Sequence, residues 1–470
     1  MGRWVVLAAC LICTSHVQAK NVILFIGDGM GVSTVTAGRI FAGQQLGKDG
    51  EEHNLSFDTF PHLALVKTYN VDAQVADSAG TITAILTGEK TRMGVLGISP
   101  LAARGDCGAA LDSELPSIAE LAEISGKSTG IVSTARVTHA TPAGAYAHSA
   151  DRDWENNSRL PQKAREEGCT DIARQFLEMP YGDGIDVLLG GGRAQFIPNT
   201  VQDPEYPAQQ GLRTDGLNIV ERWLAADENR VYVWNRAEFA ALPALGGQVL
   251  GLFEPSHLQF EADRSADKAG EPSLVEMTRF AIKRLAQNDK GYFLLIEAGR
   301  IDHAHHFGNA YRALVDTVAL DAAVRAALEE VDLRDTQIIV TADHSHTFTM
   351  SGYPARGNPI LGKVNQEVNQ LFAEQARKPY TTLGYANGPG YVAPYPDLTE
   401  VDTEDPNYRQ IAAVPLPIET HGGEDVAAFA TGIGAHHIRG VMEQNKIYNA
   451  MTAALFAEHT SGQLSGEMKK

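Results

Sequence analysis

Carboxylates and imidazoles gather just after three apolar runs of this chain, in patterns suited to binding cations. Asp28 follows Val22–Ile26; Glu297, then Asp302, His303, His305 and His306, follow Tyr292–Ile296; Asp343, His344 and His346 follow Gln337–Thr341. Asp302 and His306 are four residues apart, so one helical turn would place both on one side, as a shared metal requires. Asp343 and His344 are adjacent and more naturally serve as ligands from a loop. Mixed Asp and His ligation suits zinc, whereas oxygen-only groups such as Glu297 and Thr141 suit magnesium. Taken singly, each cluster also reads as surface charge or a helix cap; three at strand ends strengthen the metal reading. Ser78, in Val75-Ala-Asp-Ser-Ala-Gly80, precedes a helix-compatible run to Leu86. It either caps that helix or acts as a nucleophile, because a helix N-terminus and a nearby metal both favour its alkoxide. The serine pattern leaves both open.

The elements that must position these groups are short apolar runs bounded by turn residues and separated by helical patterns. Val22–Ile26, Gly130–Ser133, Val187–Leu189, Tyr292–Ile296, Gln337–Thr341 and Val426–Ala430 all read as buried parallel strands. Pro116–Ile124 reads as a helix with Ser113 and Pro116 near its start, and Leu274, Met277, Phe280, Ala281 and Leu285 follow one helical face. This alternation predicts an α/β fold, a central mainly parallel sheet flanked by helices. Ligands of such a sheet bind along the carboxyl ends of the strands, where the distant carboxylates and imidazoles would converge. The segment from about 352 to 415 is rich in Gly, Pro, Tyr and Asn and reads as a smaller inserted, loop-rich, crown-like region.

The 470 residues have ordinary globular composition, with no like-charge block that would mark a disordered tail. The N-terminus runs apolar from Trp4 to Ile12 and ends in Val17-Gln-Ala19, a secretory signal peptide over residues 1–19 that precedes one domain over 20–470. A lipoprotein box at Leu7-Ala-Ala-Cys10 is the competing reading, with a very short apolar stretch before the cysteine. No later apolar run is long enough to span a bilayer, and the expected location is secreted or periplasmic. Cys10 and Cys13 leave with the leader; an isolated Cys107 and Cys169 in an exported protein favour one disulfide. The formal charge of -19 becomes -20 when Arg3 is removed, with no basic patch to offset it, which argues against nucleic acid or an anionic membrane as partner. An anionic substrate would need local positive charge in its site, such as metal ions.

From about Asn21 to Ala457 the chain resembles the alkaline phosphatase family. The matching segments are Phe25-Ile-Gly-Asp-Gly-Met-Gly31, Asp77-Ser-Ala79, Thr138-His-Ala-Thr-Pro142, Glu297-Ala-Gly-Arg-Ile-Asp-His303, Thr341-Ala-Asp-His-Ser-His346 and Glu419-Thr-His-Gly-Gly-Glu-Asp425. The resemblance implies hydrolysis of small phosphate monoesters through a phosphoserine on Ser78, with Arg152 of Ala150-Asp-Arg-Asp153 clamping the phosphate oxygens. It implies one zinc held by Asp302, His306 and His421, and another by Asp28, Asp343 and His344. Asp28 would also bridge to a magnesium whose other protein ligands are Thr141 and Glu297. Where one branch of the family carries Asp and Lys, this chain has His139 and His303, a pair near the phosphate that resembles the animal-type enzymes. The same pattern implies a Cys107–Cys169 disulfide, a homodimer reached by Tyr353, and a calcium site from Glu205, Phe253, Glu254 and Glu271.

The spacing before Glu271 differs by a short insertion, and the acidic residues there also read as a solvated face. Asn54 and Asn156 begin glycosylation sequons. Two other functions remain open from the sequence. One is a phosphodiesterase or sulfatase on the same metal scaffold; the other is a non-catalytic metal- or phosphate-binding protein.

Overall fold

The computed structural model describes residues 20–364 and 378–456, so the expected leader and part of the expected insertion lie outside it. The strands of its main sheet, in chain order, are β1 (Asn21–Gly27), β2 (His62–Lys67), β3 (Ser128–Arg136), β4 (Val187–Gly191), β5 (Val231–Val233), β6 (Val249–Leu252), β7 (Tyr292–Ala298) and β8 (Thr336–Ala342). Shorter strands follow: β9 (Ser345–His346), β10 (Phe348–Met350), β11 (Leu383–Gly388), β12 (Ala412–Pro415) and β13 (His421–Gly422). Then β14 (Val426–Gly432) and β15 (Gly440–Glu443) complete the main sheet. Its ten strands lie in the order β15-β2-β14-β8-β1-β7-β3-β4-β6-β5.

The centre of this sheet is apolar on both faces, and Val22 to Ile26 have no exposed surface. Helices cover it on two sides. Leu274–Leu285 and Ala310–Glu330 pack together over β1, β3 and β7, while Ser78–Thr87, Ile118–Ile124 and Lys446–Leu455 pack together elsewhere on the sheet. A strand covered on both faces gains from a continuous apolar run and loses the alternating pattern of a half-exposed one. The β1 register sets Ile26 beside both Glu297 and Thr341, and Gly27 beside both Ala298 and Ala342. The residues that leave these three parallel strands therefore emerge at one level.

One expected direction is wrong. Val426–Ala430 lies in β14, which runs antiparallel to both β8 and β2. Apolar content does not encode direction; the connection does. His421 lies just before β14, paired with His346 at the ligand edge, so the chain must run away from that edge. The helix start near Pro116 also differs in detail, since Ser117 is the N-cap and exchanges bonds with Glu120 in a capping box.

Within the expected insertion, β11 pairs antiparallel with β10 and parallel with β12 in a separate small sheet. Ile360, Leu361, Leu383, Tyr385 and Ala412 bury their side chains against Ile40 and Phe41 of the helix Val32–Gln45 and Leu314 of the long helix. This second core fastens the small sheet beside the ligand edge. Among the described residues no helix is long and apolar enough to cross a membrane.

Glu123, buried beneath β3, accepts a hydrogen bond from Thr129 Oγ1 at 2.5 Å, and burial pushes its carboxyl up to about 8. The unfolded carboxyl titrates near 4.5, so the folded state holds the proton more tightly and stability falls as pH rises from about 4.5 to about 8. Glu123→Gln should therefore raise the denaturation midpoint at pH 9 and leave it nearly unchanged at pH 4. An equal effect at both pH values would contradict a neutral buried Glu123.

Candidate active site

The helix Ser78–Thr87 begins at the ligand edge, and its cap is Asp77, not the serine. Asp77 is the N-cap: its carboxylate accepts from the backbone N–H groups of Ala79 and Gly80, and from Asn70 Nδ2 at 3.0 Å. Ser78 is thus released from capping. Its buried hydroxyl lies 3.1 Å from His344 Nε2. The same Asp77 accepts from Arg152 Nη1 at 3.0 Å, and Arg152 Nη2 lies 3.1 Å from His139 Nε2. One carboxylate therefore ties the arginine to the start of the serine helix.

Two groups of possible cation ligands flank Ser78. In the first, Asp302 and His306 lie one turn apart on the helix Arg300–His306, with Asp302 Oδ1 3.2 Å from His306 Nε2. His421 Nε2 lies 3.4 Å from the same oxygen and 3.3 Å from His306 Nε2. The outer ring nitrogens are fixed by backbone carbonyls, His306 Nδ1 by Glu419 at 2.6 Å and His421 Nδ1 by Ala76 at 2.7 Å. This leaves both Nε2 atoms facing Asp302. In the second group, His344 Nε2 stands 3.4 Å from Asp28 Oδ1 and 3.3 Å from Asp343 Oδ2. Asp343 is steadied by the Gly29 and His344 N–H groups, each 3.0 Å away. The His344 and His421 rings stack with centroids 3.6 Å apart, joining the two groups.

A third group is made of oxygens. Both Asp28 oxygens, Glu297 Oε1 and Thr141 Oγ1 are buried without a hydrogen-bond partner, while the other Glu297 oxygen is held by Ser133 Oγ. Unpaired buried acceptors of this kind are costly in a protein interior unless a cation supplies the missing partner. Asp28, His139 and Glu297 also bring ligand atoms close enough for one ion. The donor sets therefore fit cations at all three places.

Electrostatics point the same way. Burial raises Asp28 well above the usual carboxylate range, and the nearby Asp343, Asp302 and Glu297 raise it further. Burial also raises Glu297, to about 7, and Asp343. At Asp302 burial acts in the same direction, but the contacts to His306, His346 and His421 outweigh it and hold the carboxyl well below its ordinary value.

The sequence patterns contained His346 and Glu419 without assigning either a role, and they did not single out His257. His346 donates from both ring nitrogens, Nε2 to Asp302 Oδ1 at 2.8 Å and Nδ1 to Glu419 Oε2 at 2.5 Å. Glu419 Oε1 accepts from both the backbone and side chain of Thr347. Its backbone N–H donates to His306 O at 3.0 Å. Gly29, with φ of 68°, leaves room for this histidine, since a Cβ there would fall 2.3 Å from the His346 ring. The motif segments contained His346 and Glu419 but gave no sign that they touch. His257 sits far from any motif; its ring lies 4.0 Å from that of His303 and 5.5 Å from that of His139.

The outer features fall into place unequally. Cys107 and Cys169 are joined in a disulfide. Tyr353 is 56% exposed. Of the expected calcium residues, Glu205 and Glu254 come together, but with Asp267 rather than Glu271. Glu271 is turned to the backbone N–H of Gln259, whereas both Asp267 oxygens are buried without partners. Phe253, buried at the end of β6, donates its N–H to Gly190 and offers no side-chain ligand atom. Of the two sequons, Asn54 is exposed, while Asn156 is buried and bonded to Gln195 and Ser158. Asn156 is closed to modification in the folded chain.

Residues 19–457 match the family model for alkaline phosphatase. The chain is 48% identical over 447 residues to the tissue-nonspecific isozyme of alkaline phosphatase from Gallus gallus, covering 93% of this chain and 84% of that protein. It is 47% identical to an alkaline phosphatase from Gadus morhua, over 93% of this chain and 92% of that one. The solved alkaline phosphatase of Thermus thermophilus, 23% identical, shares the fold with a TM-score of 0.65 over 96% of each chain. The fold and site thus define a phosphatase of the α/β class. The chain belongs to the alkaline phosphatase family.

Because Glu419 links the imidazoles around Asp302, Glu419→Ala should weaken metal retention at that group by about 10- to 100-fold. Chelator competition with metal analysis would measure this, and unchanged retention would show that Glu419 orients nothing.

Proposed function

We propose that this protein hydrolyses small phosphate monoesters through a phosphoserine on Ser78. The observation that carries this reading is that Asp77, not Ser78, caps the helix, leaving the hydroxyl beside His344 and between the candidate cation groups. Asp302, His306 and His421 would hold one zinc ion, and Asp28, Asp343 and His344 a second. Asp28, Thr141 and Glu297 would hold a magnesium ion, whose fit is supported by their unpaired buried oxygens. When bound, these ions supply Lewis-acid stabilisation of the charge at the reacting phosphate.

The chain's own groups do the rest. Ser78 Oγ attacks phosphorus, the ester P–O bond breaks, and the departing alkoxide takes up a proton. Water then cleaves the Oγ–P bond and restores the serine with release of phosphate. Arg152 keeps donors for the nonbridging oxygens while Asp77 fixes its orientation. His139 and His303 line the side next to the magnesium ligands, and burial lowers the pKa of both, that of His303 to about 3. They stand there as neutral groups.

Glu205, Glu254 and Asp267, with a Phe253 carbonyl, would hold calcium in place of the set that included Glu271. Secretion is supported by the leader pattern of residues 1–19 and the disulfide. A homodimer is supported by Tyr353 and by other exposed apolar side chains of the small sheet and its loops, including Met350, Val392 and Val414.

Ser78→Ala should lower kcat by about 10³-fold or more, with metal content unchanged and no covalent phosphate trapped on the protein. Equal turnover by both proteins would remove Ser78 from the mechanism. Metal removal by chelation should abolish turnover, and zinc with magnesium should restore it. Assays on monoester, diester and sulfate ester substrates decide among the scaffold's reactions; a dominant diester or sulfate activity would overturn the assignment.

A further inference from the structure

Arg152 sits in an unusual stretch of charge, with Asp151 and Asp153 on either side in the chain and Asp77 bonded to its guanidinium. The flanking carboxylates do not pair with Arg152. Both are held by a different cation: Arg104 Nη2 lies 2.8 Å from Asp151 Oδ1 and 2.8 Å from Asp153 Oδ2. Asp151 Oδ1 also accepts the Asp153 N–H at 3.0 Å, closing the turn around Arg152.

The backbone is built to bring Arg104 there. Gly94 has φ of 76°, and a Cβ on it would fall 2.6 Å from Cδ, Nε and Cζ of Arg104. The same Gly94 accepts the Arg152 N–H through its carbonyl at 2.9 Å, and Gly105 N donates to Ala150 O at 2.9 Å. The segments 92–105 and 150–153 are thus laced together on both sides of Asp151, with Arg104 lying against the backbone that holds Arg152.

Folding stability does not account for this arrangement. Arg104 is 41% exposed and Asp153 is 74% exposed, so that pair adds little to stability, and the pair with Asp151, 20% exposed, is still open to solvent on the arginine side. Their charge matters differently to a dianion approaching Arg152. Without Arg104, the two carboxylates that flank Arg152 in the chain would add uncompensated negative charge near the mouth of the site and repel the incoming phosphate.

We propose that Arg104 is a positioning residue for phosphate binding, holding Asp151 and Asp153 away from Arg152 and offsetting their charge at the mouth of the site. The inference rests on the reading of Arg152 as the phosphate contact and extends it to the groups that keep that contact available. It also makes Asp153 an antagonist of substrate binding whenever Arg104 is absent.

The test is the inhibition constant of inorganic phosphate, with KM and kcat for an aryl phosphate monoester, at low and high ionic strength on the metal-loaded enzyme. Arg104→Met should raise both the phosphate constant and KM by about five- to tenfold, with metal content unchanged and a smaller effect at high salt. Adding Asp153→Asn to Arg104→Met should bring both constants back to within about twofold of the parent, because it removes the charge that Arg104 offsets. A bracing role alone would not be rescued by that second change. The proposal fails if Arg104→Met leaves the phosphate constant within twofold, or if the double variant stays as weak as the single one. Arg152→Ala serves as the reference: if it leaves the phosphate constant unchanged, the phosphate contact itself is misassigned, and this proposal falls with it.

Discussion

Four carboxylates, Asp28, Glu297, Asp302 and Asp343, are held at the ligand edge of the sheet with almost no exposure to water, and the rest of the site follows from that crowding. At about 4 Å and an effective dielectric constant near 20, each like-charged pair costs about 4 kcal/mol. A few such pairs approach the whole stability of an ordinary domain. Separation is no escape, because the β1 register with β7 and β8 fixes where the carboxylates leave the strands. Two remedies remain, protonation or counter-cations. The raised pKa values of Asp28 and Glu297 describe the first, in the absence of ions. The unpaired oxygens of Asp28, Glu297 and Thr141 are shaped for the second.

Ligand atoms placed by rigid strand ends still need orientation, and a layer of neutral and charged partners supplies it. His306 and His421 are turned by backbone carbonyls, and Asp343 by two backbone N–H groups. Gln444 Nε2 donates to the Asp343 carbonyl at 2.6 Å. Each bond restricts a rotamer before any ion arrives, which lowers the entropy lost on binding. Glu419 belongs to this layer twice over, through its side chain to His346 and through its backbone to His306.

How much of this was legible in the sequence depended on whether the signal was local. The strand runs of β1, β7 and β8 and the residues that follow them were readable, since burial on two faces leaves an apolar stretch and the site begins where it ends. The Asp302 and His306 pair was readable from helical spacing. The direction of β14 was not, because an apolar run looks alike both ways and only the placement of His421 fixes it. The cap reading of Ser78 gave way to Asp77, although the aspartate stood next to it in the sequence. His257, Arg104 and Asp267 gave no local sign at all. Their contacts reach across many residues of the chain, and Asp267, four positions before Glu271, is the carboxylate that joins Glu205 and Glu254.

The overall charge of -19 opposes an anionic substrate at long range, but surface charge is screened over about 8 Å at physiological salt. What a phosphate meets inside the site is decided by the groups within that distance. The imidazoles of His139, His257 and His303 supply no positive charge there, since burial lowers the pKa of all three. Arg152 supplies one, and Asp77 partly offsets it. The imidazoles of His306 and His346, whose pKa is raised, are taken up by Asp302 and Glu419, so the side chains near Ser78 match a dianion only in part. Cations held at the buried carboxylates would supply the remainder, so the same ions that relieve the crowding at the sheet edge would also make the site attractive to phosphate. Metal loading and substrate affinity would then be one electrostatic property of this fold, set by where three parallel strands end.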